Sequence, residues 1–384
     1  MPENADQAAE LLRVRLAEGR PVVLRGAGTR APEESGEVLS SLKLNRLRFL
    51  DPEDMVAGAE AGMTMAAFQH VLREKGMHLP VGPWYPEATL GGAIAANDAG
   101  PERLFAGGLR DYLIGIEFVN GAGHKVKAGG KVVKNVTGYD LGRMLIGSRG
   151  GLGLITAANF KVLPLPVRPR AVLVRADDAT LRTGLFKMLE TRVQGDWVQV
   201  LFRAGRRELG IGLSGNAARQ ERVIKDIAAA FSSGIEIVEE ETLPAGSPGS
   251  GRHSGFLSAL LLGEAPPALH IHGVFPTSLL LTPALWETLG MGDPLSVLQP
   301  CGGDLHFFSK DTGVEEQERA LARLRAALPE REGYLVLERA AAELRWRHHP
   351  AIPAPRAFAL MRALKKSLDP RGIFRGSFYE APAL

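Results

Sequence analysis

The chain of 384 residues has a single cysteine, Cys301, so it can close no internal disulfide, and its own cysteines alone can ligate no iron–sulfur cluster. That usage fits a reducing compartment. Aromatics are sparse at 6%, and no basic block carries interleaved aromatics, which argues against a nucleic-acid partner despite the net charge of +3. Long apolar runs are also missing. Stretches such as Leu257–Leu262 are far too short to span a bilayer. Met1–Gly19 reads as an acidic, then amphipathic helix with no signal-peptide core. No Ser/His/Asp grouping or paired carboxylate marks a hydrolytic site. What the chain does have is 45% hydrophobic residues, enough for a substantial core in two domains.

It also has glycine in two telling places. Pro21–Arg30 (PVVLRGAGTR) is a short apolar strand running into a turn freed by Gly26 and Gly28. Ala88–Asn97 (ATLGGAIAAN) is a second glycine-rich loop, too distant to belong to the same local turn. Two such loops closing on one diphosphate point to a dinucleotide. Gly26-Ala27-Gly28-Thr29-Arg30-Ala31 fits the nicotinamide pattern G-x-G-x-x-A, with Asp51 at the distance of a ribose contact. That pattern requires the glycines to open a helix. Ala31–Gly36 has no apolar face and is bounded by Pro and Gly, so the nicotinamide reading is set aside.

The elements are mixed, with hairpins rather than strict βαβ alternation, which predicts an α+β fold. Strands are expected at Pro21–Leu24, Arg46–Leu50, Met55–Glu60, Leu109–Asn120, His124–Lys127 and Gly153–Leu163. Helices are expected at Leu11–Ala17, Thr64–Lys75 and Tyr139–Ile146. The Pro-rich Leu163–Arg170 ends this unit. Beyond it, a small antiparallel sheet backed by helices is expected, with Leu243–Gly255 as a loop. A last helix spans Pro355–Leu368.

These residues carry a family likeness. The chain resembles the FAD-binding family of vanillyl-alcohol oxidase (PCMH) type and, within it, the smaller FAD-binding subunits of bacterial glycolate oxidases. The segments that resemble the family are Arg25–Arg30, Pro86–Gly100, Gly129–Pro166 and Ala363–Phe374 (ALKKSLDPRGIF), with weaker echoes at Gln299–Phe308 and Gly333–Arg339. The resemblance implies an FAD-binding domain at 1–166, an inserted α+β cap domain at 167–330, and a closing segment at 331–384 that returns to the FAD domain. It places the FAD diphosphate against Arg25, Gly26, Ala27, Gly28, Thr29 and Arg30, and against Pro86, Ala88, Thr89, Leu90, Gly91 and Gly92. It places Gly151, Gly153 and Ile155 along the adenosine half. Lys134 is a candidate for a positive charge near the flavin pyrimidine, with a solvated turn as the alternative.

Departures from the family pattern shape the expectation. Covalent members use a histidine where Thr29 stands, or a cysteine elsewhere, so FAD should be held non-covalently. Catalytic relatives carry a histidine where Gln299 stands, which leaves His306 and Arg339 as weak candidates for substrate contact; no catalytic base is evident. His270-x-His272 could be a metal pair on one strand face, but no third ligand is apparent, and no metal is expected.

The resemblance implies a subunit that oxidises a small 2-hydroxy acid, hydride passing to the flavin while a base takes the hydroxyl proton. Its implied partners are a larger FAD-binding subunit and an iron–sulfur subunit, in the cytoplasm or peripheral at the inner membrane. The alternatives are a relay subunit that keeps FAD without a substrate site, and a self-sufficient dehydrogenase.

Overall fold

The structure, a computed structural model, describes residues 1–30, 36–85, 87–100, 103–131, 141–166, 170–191, 195–203, 206–231, 235–239, 267–290, 295–299, 302–328, 332–348, 351–352, 357–376 and 379. Helix and strand are mixed throughout, as an α+β chain requires.

The chain starts with the helix Ala5–Glu18. Asn4 caps it by accepting from the Gln7 amide at 2.9 Å, and Gly19 ends it at φ 65°. Its apolar face, Ala8, Ala9 and Leu12, is buried against Val22, Val119 and Phe374. The strand Val22–Arg25 lies between two parallel neighbours, Glu37–Ser40 and the late strand Phe374–Arg375. A five-stranded antiparallel sheet follows, in the order Leu47–Asp51, Val56–Glu60, Leu154–Lys161, Leu113–Val119, Lys125–Gly129. The helix Met65–Glu74 packs on it through Phe68, whose ring lies 5.7 Å from that of Phe160.

The segment Ala88–Asn97 is not the loop that its glycines suggested. Leu90–Ala96 is a helix, capped by Thr89 and ended by Asn97 at φ 55°. Its glycines serve packing: a Cβ on Gly91 would sit 3.0 Å from the Cβ of Ala61. Close approach to the neighbouring strand outweighs their poor helix propensity.

Nine antiparallel strands form the second sheet, in the order Ile235–Glu239, Arg170–Val174, Arg206–Leu213, Trp197–Arg203, Leu295–Gln299, Asp304–Ser309, Leu269–Val274, Tyr334–Arg339, Ala351–Ile352. One face is covered by the helices Asp178–Thr191, Ala217–Ala230, Pro283–Gly290 and Val314–Ala327, around a core that includes Trp286 and Phe202. The other face meets the first unit through Trp84, Tyr85 and Ala88, which pack with Trp197, Val297 and Phe308. The expected closing segment divides. Tyr334–Arg339 and Ala351–Ile352 complete the larger sheet, and Phe374–Arg375 pairs with Val22–Arg25. Leu243–Gly255 lies outside the described residues.

Candidate functional site

The two glycine segments meet, and they do different work. The amides of Gly26, Ala27 and Gly28 have no hydrogen-bond partner among the described residues, and Gly28 adopts φ 75°. Free N–H groups on a turning backbone are an anion cradle. In the second segment the donors are taken. Ala88 donates to the Tyr85 carbonyl (2.9 Å), Leu90 to Met63 (2.9 Å), Gly91 to Ala61 (2.8 Å) and Gly92 to the Thr89 hydroxyl (3.1 Å). What this segment supplies is proximity. A Cβ on Gly26 would fall 2.1 Å from Thr89 Oγ1, so only glycine lets the two segments close on one another.

Together they form an open cleft of about 1140 Å³. Arg25, Gly26, Ala27, Gly28, Thr29, Arg30, Ala88, Thr89, Gly91, Gly92, Gly153 and Ile155 line it. Leu90 is buried beneath it, and a Cβ on Gly151 would meet the Tyr379 ring at 2.2 Å rather than the cleft. Pro86 and Lys134 lie outside the described residues. Lys131 is exposed, with its ammonium 4.4 Å from the Phe49 ring centre. Arg25, Arg30, Arg149, Arg345 and Arg375 line the cleft against only Asp98 and Glu338 as acids. Free amides on a turning backbone, in a cleft lined by five arginines, suit a dinucleotide diphosphate.

At one end the cleft closes on a buried ion network. Arg30 pairs with Asp98 at 2.6 Å and with Glu338 at 2.7 Å, and Arg149 reaches Glu338 with two nitrogens, one at 2.8 Å. Burial pushes the Glu338 carboxyl up, but Arg149 and Arg30 outweigh it and hold it well below the ordinary carboxylate range. Arg149 sits at φ 51°, unusual for a residue with a side chain, and it brings the guanidinium to the domain boundary. A register shift places Glu338 there. His270 opposes Arg339 and Ile271 opposes Leu337, which leaves Glu338 as the extra residue of a bulge. Glu338 and Arg339 therefore both reach the first unit, and Arg339 donates to the Thr29 carbonyl at 3.0 Å. It ties down the first loop and does not line either cavity of the site.

Arg30, Asp98 and Glu338 are shared with a second, smaller cavity of about 260 Å³. Its wall also holds Trp84, Arg103, His272, Gln299, Asp304 and His306. Strand pairing assembles the histidines: His272 opposes His306 across the sheet, and their rings stack at 4.5 Å. His272 lies 2.9 Å from Asp304 and 3.7 Å from Glu338. Burial lowers its pKa, but the two carboxylates raise it further. His306 Nδ1 lies 3.1 Å from His270 Nε2, and His270 Nδ1 lies 3.0 Å from the Tyr85 hydroxyl. Burial, then Arg30, drives His270 well below the usual range, and burial, then His272, does the same to His306.

His270-x-His272, a possible metal pair for which no third ligand was apparent, lies in a packed strand, and its side chains meet partners on the neighbouring strand. His272, Asp304 and His306 bring one donor atom each within 4.8 Å of the others, a third partner that linear spacing did not reveal. Arg149, Glu338, Asp98, Trp84 and Tyr85 were also missed. The available signal was slight: an acid in Glu338, next to Arg339 in a quoted motif, and aromatics beside the second glycine segment.

Comparison with known proteins agrees with this geometry. A family model described as an FAD binding domain matches residues 1–129. Glycolate oxidase subunit GlcE of Escherichia coli (strain K12) is 34% identical over 184 residues, 47% of this chain and 52% of that protein. A D-lactate dehydrogenase of Archaeoglobus fulgidus is 34% identical over 168 residues, 42% of this chain and 38% of that protein. The chain thus spans about half, or less, of the length of these curated relatives. In fold it is similar to xylooligosaccharide oxidase from Myceliophthora thermophila C1, with a TM-score of 0.74 at 15% identity, covering 100% of this chain and 91% of that one. No helix among the described residues is long and apolar enough to cross a membrane. Residues 1–129 thus form an FAD-binding domain, and the chain is similar to FAD-binding oxidoreductases that include glycolate oxidase subunits and D-lactate dehydrogenases, GlcE among them.

Proposed function

We propose that this chain is the FAD-binding subunit of a glycolate-oxidase-like complex and acts on a small 2-hydroxy acid. One observation carries the reading: the cofactor cleft and the 260 Å³ polar cavity share the wall Arg30–Asp98–Glu338. A small acid held there would lie beside the redox end of the cofactor. When bound, FAD supplies a two-electron acceptor for the hydrogen on the carbinol carbon. The chain's own residues bind the diphosphate through the Gly26–Gly28 amides, fix the first loop through Arg339 and Thr29, and exclude water with Trp84 and the cap sheet. Thr29 offers no attachment point for the flavin, so the cofactor is held non-covalently and leaves on acid treatment. Lys134 is retained as a candidate for charge near the flavin. The subunit works on the cytoplasmic side, with electrons passing to a larger FAD-binding subunit and an iron–sulfur subunit.

A second reading has its own support. Every cation on the small cavity wall already faces a carboxylate: Arg30 has Asp98 and Glu338, and Arg103 and His272 have Asp304. A cavity neutralised from within suits a relay subunit that keeps FAD and receives electrons. Anaerobic addition of glycolate or D-lactate to the purified chain separates the two. Bleaching of the flavin by the chain alone supports the substrate site. Reduction only with a partner subunit present supports the relay, and a preparation that takes up no FAD overturns both.

A further inference from the structure

Two polar atoms on the wall of the small cavity, Gln299 Nε2 and His306 Nε2, have no hydrogen-bond partner among the described residues, and both are donors. Gln299 is 2% exposed, and its Nε2 has no hydrogen-bond acceptor. A buried amide left in that state is costly unless something else accepts from it. The second donor is His306, whose Nδ1 is engaged by His270 and whose Nε2 is its remaining ring nitrogen. Its protonation follows from the chain of hydrogen bonds behind it. Tyr85, 1% exposed, has one hydroxyl proton, and His270 Nδ1 is the one hydrogen-bond partner the hydroxyl has among the described residues. With Tyr85 donating to Nδ1, neutral His270 carries its proton on Nε2 and donates to His306 Nδ1. Neutral His306 then carries its own proton on Nε2, at the cavity.

We propose that the small cavity is a subsite for the oxygen atoms of a small carboxylic acid, held by two uncharged donors, the Gln299 amide and the His306 Nε2–H, with Tyr85 and His270 as positioning residues that set the polarity of His306. The ion pairs on the wall leave these donors as the polar groups still to be matched, and two donors lining one cavity suit a ligand with two acceptor oxygens. The opposite polarity, with an Nε2 lone pair facing the cavity as a cation ligand needs, reverses both histidine hydrogen bonds. It leaves the Tyr85 hydroxyl proton buried without an acceptor. The donor pair stands on these contacts alone; only the identity of the acid rests on the proposed function.

The test uses the full FAD-loaded chain with ¹⁵N-labelled histidine and oxalate as probe. Two-bond ¹H–¹⁵N spectra should show His270 and His306 both as Nε2–H tautomers, and oxalate should shift the His306 Nε2–H signal saturably. Gln299→Leu should weaken oxalate about tenfold or more. Tyr85→Phe should turn His306 into a mixture of tautomers, a change that a merely structural tyrosine would not cause. A His306 protonated on Nδ1 in the unaltered chain overturns the proposal. So does oxalate affinity untouched by Gln299→Leu, or oxalate binding that requires added zinc. The unaltered chain decides the tautomer even if a variant fails to fold. Oxalate held by both donors in a protein that glycolate cannot bleach would sink the proposed function and leave this subsite standing.

Discussion

Arg149 and Glu338 are 189 residues apart in sequence and meet in a two-pronged ion pair, with Nη2 to Oε1 at 2.8 Å. With Arg30 they lock the nine-stranded sheet to the FAD-binding unit at the point where the two cavities touch. Removing the carboxylate leaves two buried guanidinium groups without their shared anion. Glu338→Gln should therefore cost about 3–5 kcal/mol of stability, read from the denaturant midpoint. A loss under about 1 kcal/mol would show that the network is not holding the domains together.

Gly26 and Thr89 make a steric prediction. The Cβ of Gly26→Ala would fall 2.1 Å from Thr89 Oγ1 and force the two segments apart. Flavin content, read from the flavin-to-protein absorbance ratio, should drop sharply while the fold survives. Thr89→Ala alone should cost about 1 kcal/mol through the lost helix cap. Combined with Gly26→Ala, it should restore part of the flavin, a coupling that independent sites would not show.

The buried histidines predict acid sensitivity. His270 and His306 are held by burial well below the ordinary histidine value of 6.5, so below about that pH the unfolded chain takes up protons that the folded chain refuses. Stability should fall as pH drops from about 6.5, by up to about 1.4 kcal/mol per pH unit for each group. His272 acts in the opposite sense: its raised pKa gives stability that is full below about 6.5 and lost as pH rises through the folded value. Glu338 contributes above about 4.5, and that contribution fades as pH falls through its depressed folded value. Denaturant midpoints between pH 5 and 8 should slope downward on the acid side, and His270→Phe should flatten the slope by about half. An unaltered slope would count against the neutral pair.

Asp369 predicts how the C-terminal segment is held. Its carboxylate accepts from the Ile373 and Phe374 amides, each at 2.9 Å, and from Lys365 Nζ at 2.6 Å. These contacts turn the chain out of the helix Phe358–Leu368 so that Phe374–Arg375 can pair with Val22–Arg25. Asp369→Ala should cost about 3 kcal/mol, seen as a lower thermal midpoint. Proteolysis should then begin in the C-terminal segment; a pattern like that of the unaltered chain would contradict this role.

The local chemistry of the chain was legible from residues alone. Gly28 marks a turn because its left-handed backbone, φ 75°, favours a residue without a Cβ. Arg46–Leu50 and Gly153–Leu163 read as strands through their apolar, β-branched and aromatic content, and Thr64–Lys75 as a helix whose apolar positions recur at its period. The FAD-binding class followed from these patterns and the family likeness. The second glycine segment is a helix rather than a loop, because its Gly91 packs on Ala61, a contact between segments distant in the sequence. The polar site was hidden for the same reason. Glu338 reaches Arg30 and Arg149 through a bulge, a one-residue shift of pairing that leaves no mark in composition. His272 meets His306, and Tyr85 meets His270, because a nine-stranded sheet brings chain segments together across its strands and against the domain below. Sequence periodicity reports which face a side chain takes; which partner waits there is decided only when the sheets close.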